Sequence, residues 1–253
     1  MNVSALQLAT PTPLGVPYAL WRVDLDQHVP AAAHARLSAE ELARAARFVF
    51  PQDRQRYVAA HAALRQLLAQ HLANAGQAVG QPFCAGESLT LVAGRFGKPA
   101  LPAPARLHFN LSHSHDVGLV ALSEDRELGI DIERVRPMTD AVAMAAAYFT
   151  SAEQAALAAC EAGAVRDRAF FTCWTRKEAC LKALGIGLYL ATRGFEVGTL
   201  PATQVVEIAT PDGVERLQLQ SFADGDLLGA LALRCAPSRF HHAGAFSPAE
   251  VQA

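Results

Sequence analysis

Two short segments of the sequence carry acidic and basic side chains that could act together. In residues 129–133, Gly-Ile-Asp-Ile-Glu, a strand would point Asp131 and Glu133 to one face and both isoleucines to the core. In a predicted helix further along the chain, Glu178 and Lys182 are one turn apart. Mg2+ prefers oxygen ligands and often combines one or two carboxylates with phosphate and water. Three carboxylates that converge beside a lysine therefore indicate a divalent cation and a phosphate-bearing ligand.

Each segment also has a simpler interpretation. Asp131 and Glu133 could form the exposed polar face of an edge strand. Glu178 and Lys182 could be an ordinary ion pair on a helix surface, which contributes only about 0.3–0.5 kcal/mol. The sequence alone leaves both interpretations open.

A stretch rich in hydroxyl and imidazole groups follows the predicted strand 109–111. Ser112, His113 and Ser114 are expected in a turn, where the serine hydroxyls could donate to phosphate oxygens and a protonated His113 would add charge. The alternative is turn capping beside a solvent-exposed histidine. Further anion-binding candidates are Lys98 and four arginines, for each of which a solvated helix face is the alternative: Arg44, Arg47, Arg54 and Arg56.

The composition excludes several classes of protein. The 253 residues are 51% hydrophobic with a formal net charge of -2, unlike a disordered chain or a polybasic nucleic-acid binder. Any anionic ligand must therefore be held by a local cluster of charges. The five cysteines show no C-x-x-C spacing, so reduced thiols in a cytoplasmic protein are expected. We find no signal peptide and no apolar stretch long enough to span a bilayer, and we expect no membrane or nucleic-acid partner.

The elements that must position the chemical residues form two similar halves. Each half has a capping box that opens a helix, then a second long helix with an Arg-x-Arg segment, then an apolar strand. The predicted capping boxes are Ser38 with Glu41 and Ser151 with Gln154, and the predicted long helices span 53–72 and 166–184. The predicted strands are 20–25, 109–111, 117–122, 129–133, 195–197, 205–208, 217–220 and 227–233.

This pattern predicts an α+β fold. The fold would be a pseudo-twofold pair of similar subdomains, each a small, mainly antiparallel sheet packed on helices. The predicted boundaries are 1–128 for the N-terminal subdomain, 129–238 for the C-terminal subdomain and 239–253 for a loosely ordered tail. Chance recurrence of capping boxes and apolar strands is the alternative. If the duplication is real, the cleft between the halves is the natural ligand site.

Four segments, taken in order, resemble the larger, surfactin-synthetase-activating class of 4'-phosphopantetheinyl transferases. The resemblance covers roughly residues 20–235, and its last two segments are the specific ones. The segments are Phe-Gly-Lys-Pro at 96–99, Phe-Asn-Leu-Ser-His-Ser at 109–114, Gly-Ile-Asp-Ile-Glu at 129–133 and Trp-Thr-Arg-Lys-Glu-Ala-Cys-Leu-Lys-Ala-Leu-Gly at 174–185.

The resemblance implies that coenzyme A binds between the two halves. Asp131, Glu133 and Glu178 would hold Mg2+ against the pyrophosphate, and Lys182 would contact a phosphate. The remaining implied coenzyme A contacts are Ser112 and His113 along the site, Lys98 near the nucleotide, and Arg44 and Arg56, matched by residue type only, at the 3'-phosphate. The segment 134–148 would meet the carrier protein.

The implied activity is that of a holo-[acyl-carrier-protein] synthase type phosphopantetheinyl transferase. It would move the 4'-phosphopantetheine group of coenzyme A to a serine of an apo acyl or peptidyl carrier protein and release 3',5'-ADP. Glu178 would take the serine proton directly or through a metal-bound water, and Lys182 would stabilise the developing charge. One chain would supply both walls of the cleft, so a monomer would suffice. Alternatives are a metal-dependent nucleotide or pyrophosphate hydrolase and a non-catalytic coenzyme A or carrier-binding module.

Overall fold

Two four-stranded antiparallel sheets and a short hairpin organise the part of the chain that the computed structural model describes, residues 3–5, 17–74 and 89–236. The strands are β1 Val3–Ala5, β2 Ala19–Asp24, β3 Val92–Ala93, β4 Pro99–Ala100, β5 His108–Ser114, β6 Val117–Ser123, β7 Leu128–Arg134, β8 Thr203–Thr210, β9 Gly213–Asp224 and β10 Leu227–Arg234. The helices are α1 Ala31–His34, α2 Ala39–Ala45, α3 Pro51–Asn74, α4 Ala141–Tyr148, α5 Ser151–Ala159 and α6 Ala164–Leu184.

The two sheets have related topologies. The first has the order β1-β2-β6-β5 and the second the order β7-β10-β9-β8. In each half, an early strand leads into the helices and then pairs with the last strand of that half, β2 with β6 and β7 with β10. The predicted combination of helices with antiparallel sheets is therefore confirmed. The sheets divide the chain between β6 and β7, whereas the predicted subdomain limits stay a prediction and the tail 239–253 lies outside the described residues.

The helices repeat with a constant offset. In both halves, the third residue of a helix closes a capping box and also forms an ion pair with the following long helix. The matched residues, each pair 112 positions apart, are Ser38 and Thr150 at the caps, Glu41 and Glu153 as the acids, and Arg65 and Lys177 as the bases. A shared cap, acid and base at one spacing supports a common origin of the two halves more strongly than capping boxes alone.

Three details of the predicted elements are corrected by the structure. The second capping box is Thr150 with Glu153, one residue earlier than predicted, because the Thr150 hydroxyl accepts from the Glu153 amide. Helix α3 begins at Pro51, since a proline at the first helical position loses no hydrogen bond. The predicted strand 195–197 is absent from this described stretch, because the side chains of α6 bind its carbonyl oxygens in place of a neighbouring strand.

An apolar layer joins the two sheets. Buried residues from β6, β7 and β10 form one cluster there, including Leu119, Ile130, Ile132 and Leu231. Ile130 and Ile132 face this core as predicted, so their neighbours Asp131 and Glu133 point to the opposite face of β7. In the described residues, no helix has the length and apolar character needed to cross a bilayer.

Candidate active site

The junction between the halves is formed by β5 and β7, which lie side by side without a backbone ladder. The backbone N–H groups along the edge of β7 are bound instead by polar side chains that alternate along one face of β5. The bonds run from Ile130 to Asn110 at 2.9 Å, from Ile132 to Ser112 at 3.3 Å and from Arg134 to Ser114 at 3.1 Å. These polar side chains therefore connect the two sheets.

This arrangement corrects the predicted turn at Ser112, His113 and Ser114. All three residues belong to β5, and the turn comes only at His115 and Asp116, where His115 has a φ of 54°. The strand continues because its polar side chains have partners on β7, whereas hydroxyl-rich sequences usually favour turns.

Ser112, Asp131 and Lys182 meet at the centre of the junction. The Lys182 ammonium donates to Asp131 Oδ1 at 2.6 Å and to Ser112 Oγ at 3.1 Å. The Ser112 hydroxyl donates to Asp131 Oδ1 at 3.0 Å and accepts from Lys182 and from the Ile132 amide. These three bonds use the hydrogen and both lone pairs of the hydroxyl. Lys182 therefore pairs with an acid of β7 and not with Glu178 on its own helix. The surface ion-pair interpretation is wrong for this lysine.

The acids at the junction concentrate negative charge. Asp131 is 6% exposed, and its Oδ2 atom is buried without a hydrogen-bond partner. Glu133 accepts a hydrogen bond from Ser114 at 3.1 Å and lies 3.4 Å from the exposed Arg136 guanidinium. Burial, together with the charges of Asp131 and Glu133, raises the pKa of Glu178, although Lys182 opposes the shift. The folded chain therefore disfavours a third full negative charge here unless a cation is added.

A cation suits this donor set. In the described part of the chain, no three His, Cys, Asp or Glu side chains already surround one point as metal ligands. However, the buried Asp131 Oδ2 lacks a partner, and the environment of Glu178 opposes its ionisation. Both features are those expected of oxygen ligands for a hard divalent cation. The residues therefore fit Mg2+ chemically, with Asp131, Glu133 and Glu178 as candidate ligands.

Gly129 allows α6 to approach β7 closely enough to form this junction. A Cβ atom at position 129 would overlap the carbonyl oxygen of Ala179 and the amide nitrogen of Ala183. Both contacts are helix backbone, which cannot move aside as a flexible side chain can. The glycine thus positions Glu178 and Lys182 over Asp131.

We expect Gly129→Ala to reduce both stability and activity. The added methyl group must push α6 away from β7, and overpacking of this kind costs about 1–3 kcal/mol. The displacement would also separate Lys182 from Asp131. The melting temperature should therefore fall, as should any catalytic activity that depends on this junction. Gly194→Ala, where a Cβ meets nothing within 4 Å, should change neither. Unchanged activity in Gly129→Ala would show that the site tolerates movement of the helix.

A cavity of about 800 Å³ opens beside the acidic junction. Its wall includes His113 from β5 and Arg44 from α2, two of the residues predicted to contact coenzyme A. Although solvent reaches the His113 ring, the surrounding protein lowers the pKa of His113 and the nearby Lys182 lowers it further. Arg44 is exposed and lies 5.7 Å from the centre of the Tyr57 ring. The structure thus brings these two candidates to one cavity next to Ser112.

Arg56 and Lys98, the other two basic residues outside the junction that are predicted to contact coenzyme A, are bound by acids. Arg56 makes a bidentate ion pair with Asp26, with N–O distances of 2.6 and 2.8 Å. Lys98 donates to Glu127 at 2.5 Å and to the Leu128 carbonyl at 2.9 Å. Burial opposes ionisation of Glu127, yet its hydrogen bonds to His108 and Lys98 lower the pKa of Glu127 to about 2. Lys98 thereby anchors the β3–β4 hairpin beside the start of β7.

Two residues of the site, Asn110 and Gly129, carry no prediction of their own from the sequence, where they stand only as members of their motifs. The alternation of polar residues at 110, 112 and 114 was an available signal, since it predicts one polar face on a strand. Nothing in the sequence indicated that this face would meet the edge of β7.

Comparison with known proteins places this site in a family. A family model described as the 4'-phosphopantetheinyl transferase superfamily matches residues 127–227, which include all three acids and Lys182. The chain is 36% identical over 207 residues to the 4'-phosphopantetheinyl transferase HetI of Nostoc sp., an alignment that covers 76% of this chain and 83% of that protein. A putative 4'-phosphopantetheinyl transferase of Synechocystis sp. is 35% identical over 171 residues, 67% of this chain and 65% of the relative. A 4'-phosphopantetheinyl transferase of Bacillus subtilis is 34% identical over 127 residues, 50% of this chain and 54% of the relative.

Proposed function

Because this chain belongs to the 4'-phosphopantetheinyl transferase superfamily, we propose that it transfers the 4'-phosphopantetheine group of coenzyme A to a serine of an apo acyl or peptidyl carrier protein. The reaction depends on Mg2+ and releases 3',5'-ADP. This is the activity of a holo-[acyl-carrier-protein] synthase type enzyme. The observation that carries the proposal is the junction at which Lys182, Ser112 and Asp131 meet beside Glu178 and a nucleotide-sized cavity.

The transfer is one displacement at phosphorus. The carrier serine oxygen forms a bond to the β-phosphorus of coenzyme A, the bond from that phosphorus to the bridging oxygen breaks, and 3',5'-ADP leaves with the electron pair. Phosphoryl transfer depends mainly on positioning and on neutralisation of charge. Mg2+ held by Asp131, Glu133 and Glu178 would supply Lewis-acid stabilisation of the pyrophosphate oxygens.

The residues of the chain divide the remaining tasks. Glu178 takes the proton of the attacking serine, directly or through a water, and its raised pKa brings its basicity closer to that needed at neutral pH. Lys182 stabilises the charge that develops on the phosphate oxygens. Ser112 and Asp131 hold the Lys182 ammonium in place through bonds of 3.1 and 2.6 Å. The cavity lined by Arg44 and His113 receives the nucleotide.

We further propose that the carrier protein docks on the segment 134–148, beside the acidic junction. Arg136 is exposed there, and helix α4 presents the half-exposed Val142 and part of Tyr148. A carrier seated on this surface would bring its serine to the side of β7 that carries Asp131 and Glu133. We propose a cytoplasmic monomer, since both walls of the junction come from one chain.

Lys182→Ala should lose at least about tenfold in kcat, equivalent to about 1.4 kcal/mol of transition-state stabilisation. The ammonium acts on charge that builds up during the transfer, so the loss should appear in kcat more than in the KM for coenzyme A. Steady-state kinetics with a saturating carrier protein would measure both parameters. Kinetics equal to the wild type would reduce Lys182 to a structural partner of Asp131.

One experiment tests the proposed function as a whole. The full chain is incubated with coenzyme A, Mg2+ and an apo carrier protein, and intact-protein mass spectrometry detects the phosphopantetheine adduct. The adduct should form with Mg2+ and disappear with EDTA. A carrier variant with the acceptor serine replaced by alanine should remain unmodified. Release of 3',5'-ADP without a carrier would instead indicate a hydrolase, and binding without either product would indicate a non-catalytic module.

A further inference from the structure

The side chain of Arg134, the last residue of β7, binds an aspartate from each half of the protein. Its Nη1 atom donates to both carboxylate oxygens of Asp226 at 2.8 Å, and its Nη2 atom donates to Asp116 Oδ1 at 2.6 Å. Asp116 belongs to the turn between β5 and β6 in the first half, and Asp226 belongs to the turn between β9 and β10 in the second. One guanidinium therefore connects the two halves. We call Asp116, Arg134 and Asp226 the clasp.

The two aspartates of the clasp occupy equivalent places in the fold. Asp116 comes directly before β6 and Asp226 directly before β10, and these are the last strands of their halves. Each turn is fixed to its own half by a backbone bond of 2.8 Å, from the Leu25 amide to the Asp116 carbonyl and from the Val135 amide to the Asp226 carbonyl. Asp226 thus fixes the guanidinium within the second half, and the bond to Asp116 is the one that crosses between the halves.

The clasp lies at the Glu133 end of the junction. The Ser114 hydroxyl accepts from the Arg134 amide and donates to Glu133 Oε2, both at 3.1 Å. Because β5 and β7 share no backbone ladder, their separation is resisted by side chains such as these. The clasp is next to the last of these bonds, where it opposes an opening of the junction from this end.

Loss of the guanidinium would replace attraction between the halves with repulsion. Asp116 and Asp226 bind the same cation, so their negative charges lie close together. Carboxylates that share a site repel each other when no cation lies between them. An isolated exposed pair contributes little, but an arginine with bidentate geometry that joins two acids is a network of the kind that does contribute.

We propose that Arg134 is a positioning residue that keeps the two halves closed and so sets the distance between the acids of β7 and the Ser112–His113 face of β5. The inference rests on the proposed function, because it is the transfer reaction that needs this distance. The acids and Lys182 come from the second half, and the cavity wall at Arg44 and His113 comes from the first. A ligand held by the cavity therefore meets the acids correctly only while the halves stay closed.

Arg134→Met tests closure of the junction without any catalytic assay. Amide hydrogen exchange is followed by NMR in EDTA, at the Ile130 and Ile132 amides that bind Asn110 and Ser112 across the junction. Both amides should exchange at least about tenfold faster than in the wild type, because they become exposed when the junction opens locally. Amides in the β2–β6 ladder, which lie within one half, should stay within about twofold. Unchanged exchange at both isoleucines, or equal acceleration throughout the two sheets, would overturn the proposal.

The kinetics of transfer test the positioning role. In Arg134→Met, kcat should fall at least about tenfold, since a displacement of about 1 Å can cost about a hundredfold in rate. The KM for coenzyme A should stay within about threefold, because the cavity wall belongs to one half and is unchanged. A kcat equal to that of the wild type, or a loss confined to KM, would overturn the positioning role. Absence of transfer by the wild-type protein would refute the proposed function itself, and the exchange result would still report on the clasp.

Two further variants complete the test. Arg22→Met is the matched control, since Arg22 on β2 also pairs across the halves, with Asp224 on β9, through one exposed contact of 3.4 Å. It should leave exchange and kinetics unchanged. Asp116→Ala removes only the bond that crosses between the halves, and it should reproduce both effects of Arg134→Met. If Arg134→Met unfolds, as judged by circular dichroism, Asp116→Ala alone decides the outcome by the same two measurements.

Discussion

Glu178→Gln should abolish transfer without harming the fold. Removal of the carboxylate that we propose as both base and cation ligand should reduce kcat by at least about a thousandfold, within the range that positioned acid–base groups contribute. Glutamine preserves the volume of the side chain, and Glu178 makes no hydrogen bond or ion pair with the described residues that the change would break. Transfer measured by mass spectrometry should fall to background.

The same variant should be at least as stable as the wild type when metal is removed. The pKa of Glu178 is raised by burial and by Asp131 and Glu133, so its ionised form destabilises the folded chain at neutral pH. Glutamine removes that repulsion, and thermal denaturation in EDTA should give an equal or higher Tm. Glu161→Gln, at an exposed loop position, is the control and should keep both properties of the wild type. Near-normal turnover of Glu178→Gln with Mg2+ present would refute both assigned roles.

Lys177→Met should have the largest effect on stability. Lys177 and Glu153 are both only 1% exposed, and their charged atoms lie 2.8 Å apart. The Lys177 ammonium also donates to the Thr192 and Phe195 carbonyls. Removal of one partner leaves a buried carboxylate uncompensated, which costs about 3–5 kcal/mol. For a chain of this size we expect Tm to fall by about 10 °C.

The loss of stability in Lys177→Met should depend on the burial of the ion pair and on the pH. Arg216→Met, which breaks the exposed pair with Glu207, should cost less than about 1 kcal/mol. Burial alone would raise the pKa of Glu153, but Lys177 and backbone donors lower it overall. Because the pKa of Glu153 is lowered, the stability that its ion pair with Lys177 contributes is present above the ordinary carboxyl pKa range and is lost as the pH falls. The stability gap between variant and wild type should therefore narrow in acid, and a gap independent of pH would contradict this account.

Much of the fold could be predicted because its signals are local. The Ser38 capping box, the continuous apolar strands and the stop of α6 at Gly185 each depend on residues within one or two turns of each other. The resemblance to the transferase family is likewise carried by short segments, and the family comparisons confirm it. The one-residue error at Thr150 shows the limit of this approach, because both Thr150 and Ser151 are suitable caps.

The wrong predictions of secondary structure concern residues whose hydrogen-bond partners are distant in the sequence. Residues 195–197 have the composition of a strand, but Arg176 and Lys177 bind their carbonyl oxygens from the helix below. Ser112 and Ser114 are residue types that favour a turn, but their hydroxyls accept hydrogen bonds from backbone N–H groups of β7 and the residues stay in strand β5. In both cases, hydrogen bonds made across the tertiary structure outweigh the local preference of the backbone.

The sequence by itself determined the chemical types and the faces of the site. Strand alternation sets Asp131 and Glu133 on one side of β7, and helical periodicity separates Glu178 from Lys182 by one turn. Only the tertiary structure decided which charges meet. It joins Lys182 to Asp131 and Ser112 across elements up to 70 residues apart, and leaves Glu178 beside two other acids. The physical reason is close approach: the absence of a side chain at Gly129 lets α6 lie on β7, and charge pairing at that distance is a property of the packed molecule.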